Sequence, residues 1–275
     1  MRLQRGARSA ARRSQRKPIV KPDLHQDHKD VANFYDNVYY RHAGEESTPV
    51  ESWHLRSLVR RLQLRPGQRI LDVACGTGEW LCVAHRHGLD VAGVDISRKA
   101  IDVCRQRLPN GDFKAAPAER LDFPDQAFDC VTCLGSLEHF LDQQGALREM
   151  ARVLRPRGKI VLLVPNAGFL PYRLGLYRGT HQQAVRETIR SLEEWHSMFR
   201  DSGLDVLQRW RDLHIVNSRW IVRRPWSMVI PRFVQAALLP LWPLAWQYQV
   251  YHLCARVTPA QASCNDPTAP GISHS

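Results

Sequence analysis

RILDVACGTGEWL, residues 69–81, decides the reading of this chain. It opens as an apolar run ending at Asp72, narrows to the small residues Ala74, Gly76 and Gly78, and then reads as a helix. Glycine tolerates positive φ and lets a ligand approach the backbone closely. The helix start that follows offers unpaired N–H groups to negative atoms. A strand, a bare turn and a helix start in that order form a ligand cradle. The dinucleotide fingerprint GxGxxG needs a third glycine five residues after the first. Counted from Gly76 that position is Leu81, and counted from Ala74 it is Glu79, so the spacing excludes it. No Gly-Lys-Ser/Thr follows the glycines, which excludes a P-loop.

The neighbouring segments alternate between strand and helix. Expected strands are 69–74, 90–96, 112–116, 128–134 and 159–165, and expected helices are about 78–87, 98–108 and 143–154. Ser97 is the N-cap of the second helix, and RPRGK (155–159) closes the third through Pro156 and Gly158. Regular alternation with apolar strands implies a parallel sheet covered on both faces. Such sheets bind ligands at the carboxyl ends of their strands. Upstream, 28–42 is aromatic-rich and helical, and 51–64 places Trp53, Leu55, Leu58, Val59 and Leu62 at helical spacing. Downstream, 191–203 is a helix closed by Gly203, 204–213 a strand and 250–257 a last strand. Between the last two strands, 225–255 holds one fixed charge, Arg232. Pro231, Pro240 and Pro243 break that run into pieces too short to span a bilayer.

The glycine turn resembles motif I of the class I S-adenosylmethionine-dependent methyltransferases, D/E-x-G-x-G-x-G. It stands here as Asp72-Val73-Ala74-Cys75-Gly76-Thr77-Gly78, with Ala74 for the first glycine. Further segments match in order: GVDIS (93–97), APAERLDFPDQAFD (116–129), LGSLEHF (134–140) and EMARVLRPRGKIVLLVPN (149–166). The resemblance covers roughly residues 30–210. It is nearest to the methyltransferase type 11 group that includes ubiquinone- and menaquinone-biosynthesis enzymes. It implies a doubly wound, mostly parallel seven-stranded α/β sheet, the Rossmann-like methyltransferase fold, with residues 212–249 as a hydrophobic insertion before the last strand. It also implies that S-adenosylmethionine is held by Asp72, Ala74, Cys75, Gly76 and Gly78 of the turn, by Asp95 and Ile96, by Ala118 and Glu119, by Leu134, and by the lid residue Tyr35. Asp95 would accept both ribose hydroxyls; its alternative role is to cap the helix beside Ser97. Tyr35 and Asp36 belong either to a lid over the cofactor or to a core-packing aromatic helix. Pro117 replaces the family's acid, which leaves the adenine contact to main-chain groups.

Methyl transfer from a sulfonium is an in-line displacement that needs alignment, exclusion of water and, for an oxygen nucleophile, a base. His139 is the candidate base, because its ordinary pKa of about 6.5 suits proton transfer. Glu138 is the second catalytic candidate, and structural hydrogen bonding is the other reading of both. Some relatives bind a divalent metal through E-x-x-E-H. Gly135 takes the place of the earlier acid here, so no metal is expected.

Charge and cysteine usage limit the other classes. The chain has 275 residues and a net charge of +12. Residues 1–22 hold eight Arg or Lys and no acid, so the remainder carries about +4. The basic excess belongs to an arm (1–27) and not to a folded stripe, and nucleic acid is not expected as a partner. The arm reads as a solvated tail, a transit-like segment or a tether to an anionic membrane. Residues 28–257 form the domain, and 258–275 have a disordered composition. The seven cysteines make no framework, and Cys130 and Cys133, three apart in a strand, point to opposite faces. Reduced thiols and a cytoplasmic setting are the expectation. Trp220, Trp226, Trp242 and Trp246 make the insertion an apolar substrate entrance, a patch resting on a membrane, or helices packed on the domain or on a second subunit. The leading function is methylation of a small, hydrophobic acceptor. A non-catalytic assembly partner and an RNA or protein methyltransferase are the alternatives. The acceptor and the oligomeric state are left open.

Overall fold

Five strands leave the amino-terminal half in parallel, and their order places the glycine turn at the middle of one sheet edge. The computed structural model describes residues 27–43, 53–173, 187–214, 216, 221–222 and 224–257. Most of the basic arm, the carboxyl-terminal tail, residues 174–186 and Trp220 lie outside them.

The strands are β1 (Arg69–Val73), β2 (Asp90–Asp95), β3 (Asp112–Ala115), β4 (Phe128–Leu134), β5 (Leu154–Pro165), β6 (Leu204–Arg211) and β7 (Gln249–Arg256). They form one seven-stranded sheet in the order β3-β2-β1-β4-β5-β7-β6. Strands β1 to β5 pair in parallel, and β7 runs antiparallel between β5 and β6. This is the expected Rossmann-like sheet. The chain reverses its winding beside β1, so β1 and β4 open the crevice where such sheets bind ligands.

Period-two alternation sends neighbouring residues to different layers. Leu71, Val73, Val131, Cys133, Leu162 and Val164 pack in one core with Leu147 and Met150 of α5 (Gln143–Val153) and Trp195 and Phe199 of α7 (Leu192–Asp201). Ile70, Cys130 and Val161 pack in the other with α2 (Trp53–Leu62), α3 (Glu79–Arg86) and α4 (Arg98–Arg107). Cys130 and Cys133 thus lie on opposite faces, as their spacing requires. Helix α7 opens with a capping box in which Ser191 and Glu194 satisfy each other's backbone N–H groups.

Two readings of the sequence need correction. Helix α5 ends at Val153, and β5 begins at once with Leu154, so RPRGK is strand and not a helix cap. Its irregularity appears instead as a register shift opposite Phe128 and Cys130. Pro231 does not break its segment either. It lies in the first turn of α8 (Val229–Leu238), where proline's missing N–H has no intrahelical partner to lose. Pro240 and Pro243 do mark boundaries, at 3₁₀ turns over Leu239–Leu241 and Leu244–Trp246.

The bend after β1 is tight enough to put Ala74 at φ 60°, with Gly76 at 53° and Gly78 at 79°. Left-handed backbone costs an L-residue about 1–2 kcal/mol. The extra freedom of glycine in the unfolded chain offsets about 0.4–1 kcal/mol of that. Ala74→Gly is therefore expected to be neutral or to stabilise by up to about 1 kcal/mol, against the loss normal for this exchange. Urea unfolding measures it, and a loss above 1 kcal/mol would contradict the strain.

Candidate functional site: a nucleoside cavity joined to an open cleft

Asp95, the last residue of β2, holds the site together. Its Oδ2 accepts from Gly76 N at 2.9 Å and its Oδ1 from Ser97 N at 2.9 Å. One carboxylate thus pins the glycine turn to the start of α4. Ser97 caps that helix, accepting from Ala100 N at 3.1 Å. The carbonyls of the turn are tied outward, Gly76 O to Cys104 Sγ at 3.2 Å and Thr77 O to Arg107 Nη1 at 2.9 Å. Beneath the turn, the Thr132 hydroxyl donates to Asp72 Oδ1 at 2.6 Å and receives Trp80 Nε1 at 3.1 Å.

Over the turn lies the amino-terminal segment, α1 (His28–Phe34) running into a π-helical turn at Tyr35–Tyr39. It is seated by Asp36 Oδ1, which accepts from Ser97 Oγ at 2.5 Å and from Lys99 N at 3.2 Å. His28 Nε2 reaches Glu119 Oε2 at 3.2 Å. A Cβ at Gly76 would stand 2.8 Å from the Tyr40 hydroxyl, so that glycine admits the aromatic lid as well as a ligand.

Two cavities meet under this lid. The first, of about 580 Å³ including space open to solvent, is bounded by Ala74, Asp95, Ile96, Pro117, Ala118 and Glu119 with His139 and Tyr35. The second, a cleft of about 1890 Å³ including space open to solvent, runs past Asp72, Cys75, Gly76, Leu134, Tyr251 and His214. Tyr35, Tyr40, Ala74, Ser136 and His139 border both. Of the residues singled out in the sequence, eleven border one cavity or both. Gly78 and Glu138 border neither. Gly78 is the N-cap of α3 and packs near Cys104, and Glu138 lies buried behind the cleft wall. Glu119 Oε1 also accepts from Leu141 N and Asp142 N, each at 3.1 Å, which fixes the loop after β4. Sequence reasoning missed Tyr40, His54, Asp212 and His214, which reach the cleft from three separate segments.

The site fits a sulfonium nucleoside. The smaller cavity has a carboxylate at the tip of β2 that suits ribose hydroxyls and apolar walls that suit a base. The turn adjoins it with the N–H groups of a helix start. Burial raises the Asp95 carboxyl to about 6 despite the Ser97 and Gly76 N–H groups. Burial, with the charge of Asp95 added, raises Asp72 to about 7 against the Thr132 bond. Burial raises Glu138 to about 8, helped by Glu187, and its Oε2 has no hydrogen-bond partner. Among the described residues, no group of three His, Cys, Asp or Glu side chains is arranged to hold a metal.

Comparison with known proteins agrees with this geometry. Residues 71–162 match the family model described as a methyltransferase domain. The chain is 35% identical over 195 residues to a demethylmenaquinone methyltransferase of Beutenbergia cavernae, covering 68% of this chain and 80% of that one. It belongs to the S-adenosylmethionine-dependent methyltransferases. The 27-O-demethylrifamycin SV methyltransferase of Amycolatopsis mediterranei is 33% identical over 184 residues, 62% of this chain and 67% of that protein. Among solved structures, the 1,6-didemethyltoxoflavin-N1-methyltransferase of Burkholderia thailandensis, bound to S-adenosylhomocysteine, shares the fold. Its TM-score is 0.57 at 16% identity, covering 92% of this chain and 100% of that one. The cofactor is thus S-adenosylmethionine, and the chain is an enzyme.

Two predictions follow from the carboxyls. Asp95→Asn keeps the shape but places an amide against two N–H donors. S-adenosylmethionine affinity is expected to fall 10–100-fold, about 1.5–3 kcal/mol, the range for hydrogen bonds to a charged group. Calorimetry measures it, and unchanged affinity would rule out this grip. Glu138 has a folded pKa raised from 4.5 to about 8. Its stabilising effect is therefore complete below pH 4.5 and is lost as pH rises through 8. Between pH 5 and 8 the native chain should lose on the order of 3 kcal/mol more than Glu138→Gln. Urea titrations at the two pH values check this, and parallel curves would refute it.

Proposed function

We propose that this methyltransferase acts on a small, hydrophobic acceptor that it meets at a membrane surface. The observation that carries the reading is the outward apolar face of the insertion between β6 and β7. Helix α8 and its flanks present Trp226, Ile230, Phe233, Val234, Leu238 and Leu241 to solvent. Ile230 is 75% and Leu241 80% exposed, although both are large aliphatic residues. The residues from 230 to 241 recur at helical spacing, so they share a face. Within α8 only Ala236 is buried.

The base of the insertion is held by polar bonds instead. Asn166 Nδ2 donates to Ala245 O at 2.8 Å and to Gln247 O at 3.1 Å, and Gln247 Nε2 donates to Trp242 O at 3.1 Å. An apolar helix face fixed at its base and turned outward suits an interfacial helix with aromatic residues at its borders. No helix among the described residues is long and apolar enough to cross a membrane. The basic arm favours an anionic surface, where each Lys or Arg near the lipid contributes about 1 kcal/mol. The insertion enters β7 at Gln249, which itself borders the cleft, so lipid contact and acceptor entry adjoin. The names of the matched relatives, a demethylmenaquinone and a demethylrifamycin methyltransferase, support a small organic acceptor.

Two measurements test the proposal. Phosphatidylglycerol-containing vesicles should sediment the full chain at least tenfold more strongly than Ile230→Asp/Leu241→Asp. Each buried aliphatic side chain contributes about 1.5–3 kcal/mol, and equal partitioning would count against membrane contact. A lipid extract of cells lacking the gene should contain a species lighter by one methyl, and its absence would count against a lipid-soluble acceptor.

A further inference from the structure

Two of the buried thiols meet at the glycine turn. Cys75 lies in the bend itself, between Ala74 and Gly76, and Cys104 is buried on α4. Their sulfurs converge on one atom. The carbonyl oxygen of Gly76 is 3.7 Å from Cys75 Sγ and 3.2 Å from Cys104 Sγ. A hydrogen bond also links the two thiols. Both belong to the same apolar layer, where they have little room to part. A Cβ at Gly93 would stand 2.8 Å from Cys75 Sγ, and one at Gly78 would stand 3.0 Å from Cys104 Sγ. Strand β2 thus backs one sulfur and the start of α3 backs the other. Their exposure differs. Cys104 is fully buried, whereas Cys75 is 7% exposed and borders the open cleft. A small solute in the cleft therefore meets Cys75 first. The residue they converge on is also the one that Asp95 holds, through Gly76 N. Gly76 is fixed at its N–H by a carboxylate and at its carbonyl by a thiol.

We propose that Cys75 and Cys104 are a site of redox modification: hydrogen peroxide entering the cleft joins them as a disulfide, and the joined form holds the cofactor more weakly. This rests on reading the glycine turn as the seat of S-adenosylmethionine. The step balances as follows. The Cys75 sulfur, as thiolate, attacks one peroxide oxygen. The oxygen–oxygen bond breaks, and the departing hydroxide takes up the thiol proton as water, leaving a sulfenic acid. The Cys104 sulfur then attacks the sulfur of that acid. Its sulfur–oxygen bond breaks, and the oxygen leaves with the Cys104 proton as a second water. The two sulfurs lose two electrons, and the peroxide gains them. Closing the bond removes the proton that Cys104 donates to Gly76 O, and it draws Cys75 away from Gly93. It also imposes its own geometry on both backbones. The turn loses the tie on its carbonyl side and shifts against Asp95. In the thiol form the Cys104 bond and burial push the Cys75 thiol up, with the charges of Asp95 and Asp72 adding to them. Cys75 therefore stays protonated while the turn is closed, and the first attack waits for the turn to loosen.

The full chain is treated with hydrogen peroxide, and its unreduced peptides are read by mass spectrometry. A linked Cys75–Cys104 pair, lighter by two hydrogens than the two thiol peptides together, is expected. Calorimetry should show S-adenosylhomocysteine binding the linked form about tenfold more weakly, the scale of one lost hydrogen bond, and dithiothreitol should restore it. Cys104→Ser keeps a donor for Gly76 O but cannot link, so its affinity should be the same before and after peroxide. Cys82→Ser, which removes the third thiol nearby on α3, should respond as the native chain does. In a fixed mixture of oxidised and reduced dithiothreitol, saturating S-adenosylhomocysteine should shift the ratio toward the dithiol by the same factor, because coupling between two equilibria is reciprocal. If the link does not form, or joins Cys82 instead, the site is overturned. If it forms but affinity and redox ratio stay unchanged, or if the loss persists in Cys104→Ser, its control over the cofactor is overturned. If the reduced chain does not bind S-adenosylhomocysteine, the reading of the turn falls and takes that control with it, while the peptides still decide the link.

Discussion

One carboxylate reaching two backbone N–H groups organises the ligand edge of this enzyme. Asp95 joins the turn after β1 to the helix after β2, two segments that the sheet alone only brings near. Ser97 extends that link, because its hydroxyl both caps α4 and donates to Asp36 of the lid. A short chain of hydrogen bonds therefore runs from the glycine bend to the segment that covers it. Its members are buried or partly buried, where a missing partner costs more than a bond made in water contributes. The arrangement explains why Ala74 persists at positive φ. The bend is fixed from both sides, and the side chain there is small enough to bear the strain.

The sheet and the nucleoside cavity were legible because they rest on local rules. Apolar alternation, the Ser97 cap and the glycine spacing each act over a few residues, and apart from the start of β5 each placed its element to within about two positions. RPRGK misled because proline and glycine mark an irregular strand start as readily as a helix end, and only the pairing with β4 distinguishes them. Pro231 misled for a related reason: its effect depends on where in the helix it falls. The open cleft was less legible: the insertion from 212 was expected at a substrate entrance, but Tyr40, His54, Asp212 and His214 were not singled out. Tyr40, His54 and the Asp212–His214 pair come from three segments, and no spacing rule links them. They meet because β6 returns to the same edge as β1, a fact of topology.

The two ends of the site are built in different ways. The smaller cavity is bordered by the ends of β1 and β2, the loops after β3 and β4, and the amino-terminal segment. The larger cleft is open and bordered by residues of α2, the loop after β6 and β7, beside an insertion whose apolar residues are largely exposed. A cleft bordered by loops on a fixed sheet can vary without disturbing the core.

The six described cysteines bear on how such a protein can be followed in solution. All are buried and unpaired, and they occupy both layers of the sheet. Burial holds the thiols of Cys130, Cys133 and Cys254 protonated and unreactive. Alkylation of each must wait for its own layer to open. Cys75 and Cys104, beside the glycine bend, register loosening of that turn, whereas Cys254 on β7 registers separation of β7 from its neighbours β5 and β6. The native chain thus carries its own set of thiol reporters, from which the order of opening can be read without any introduced label.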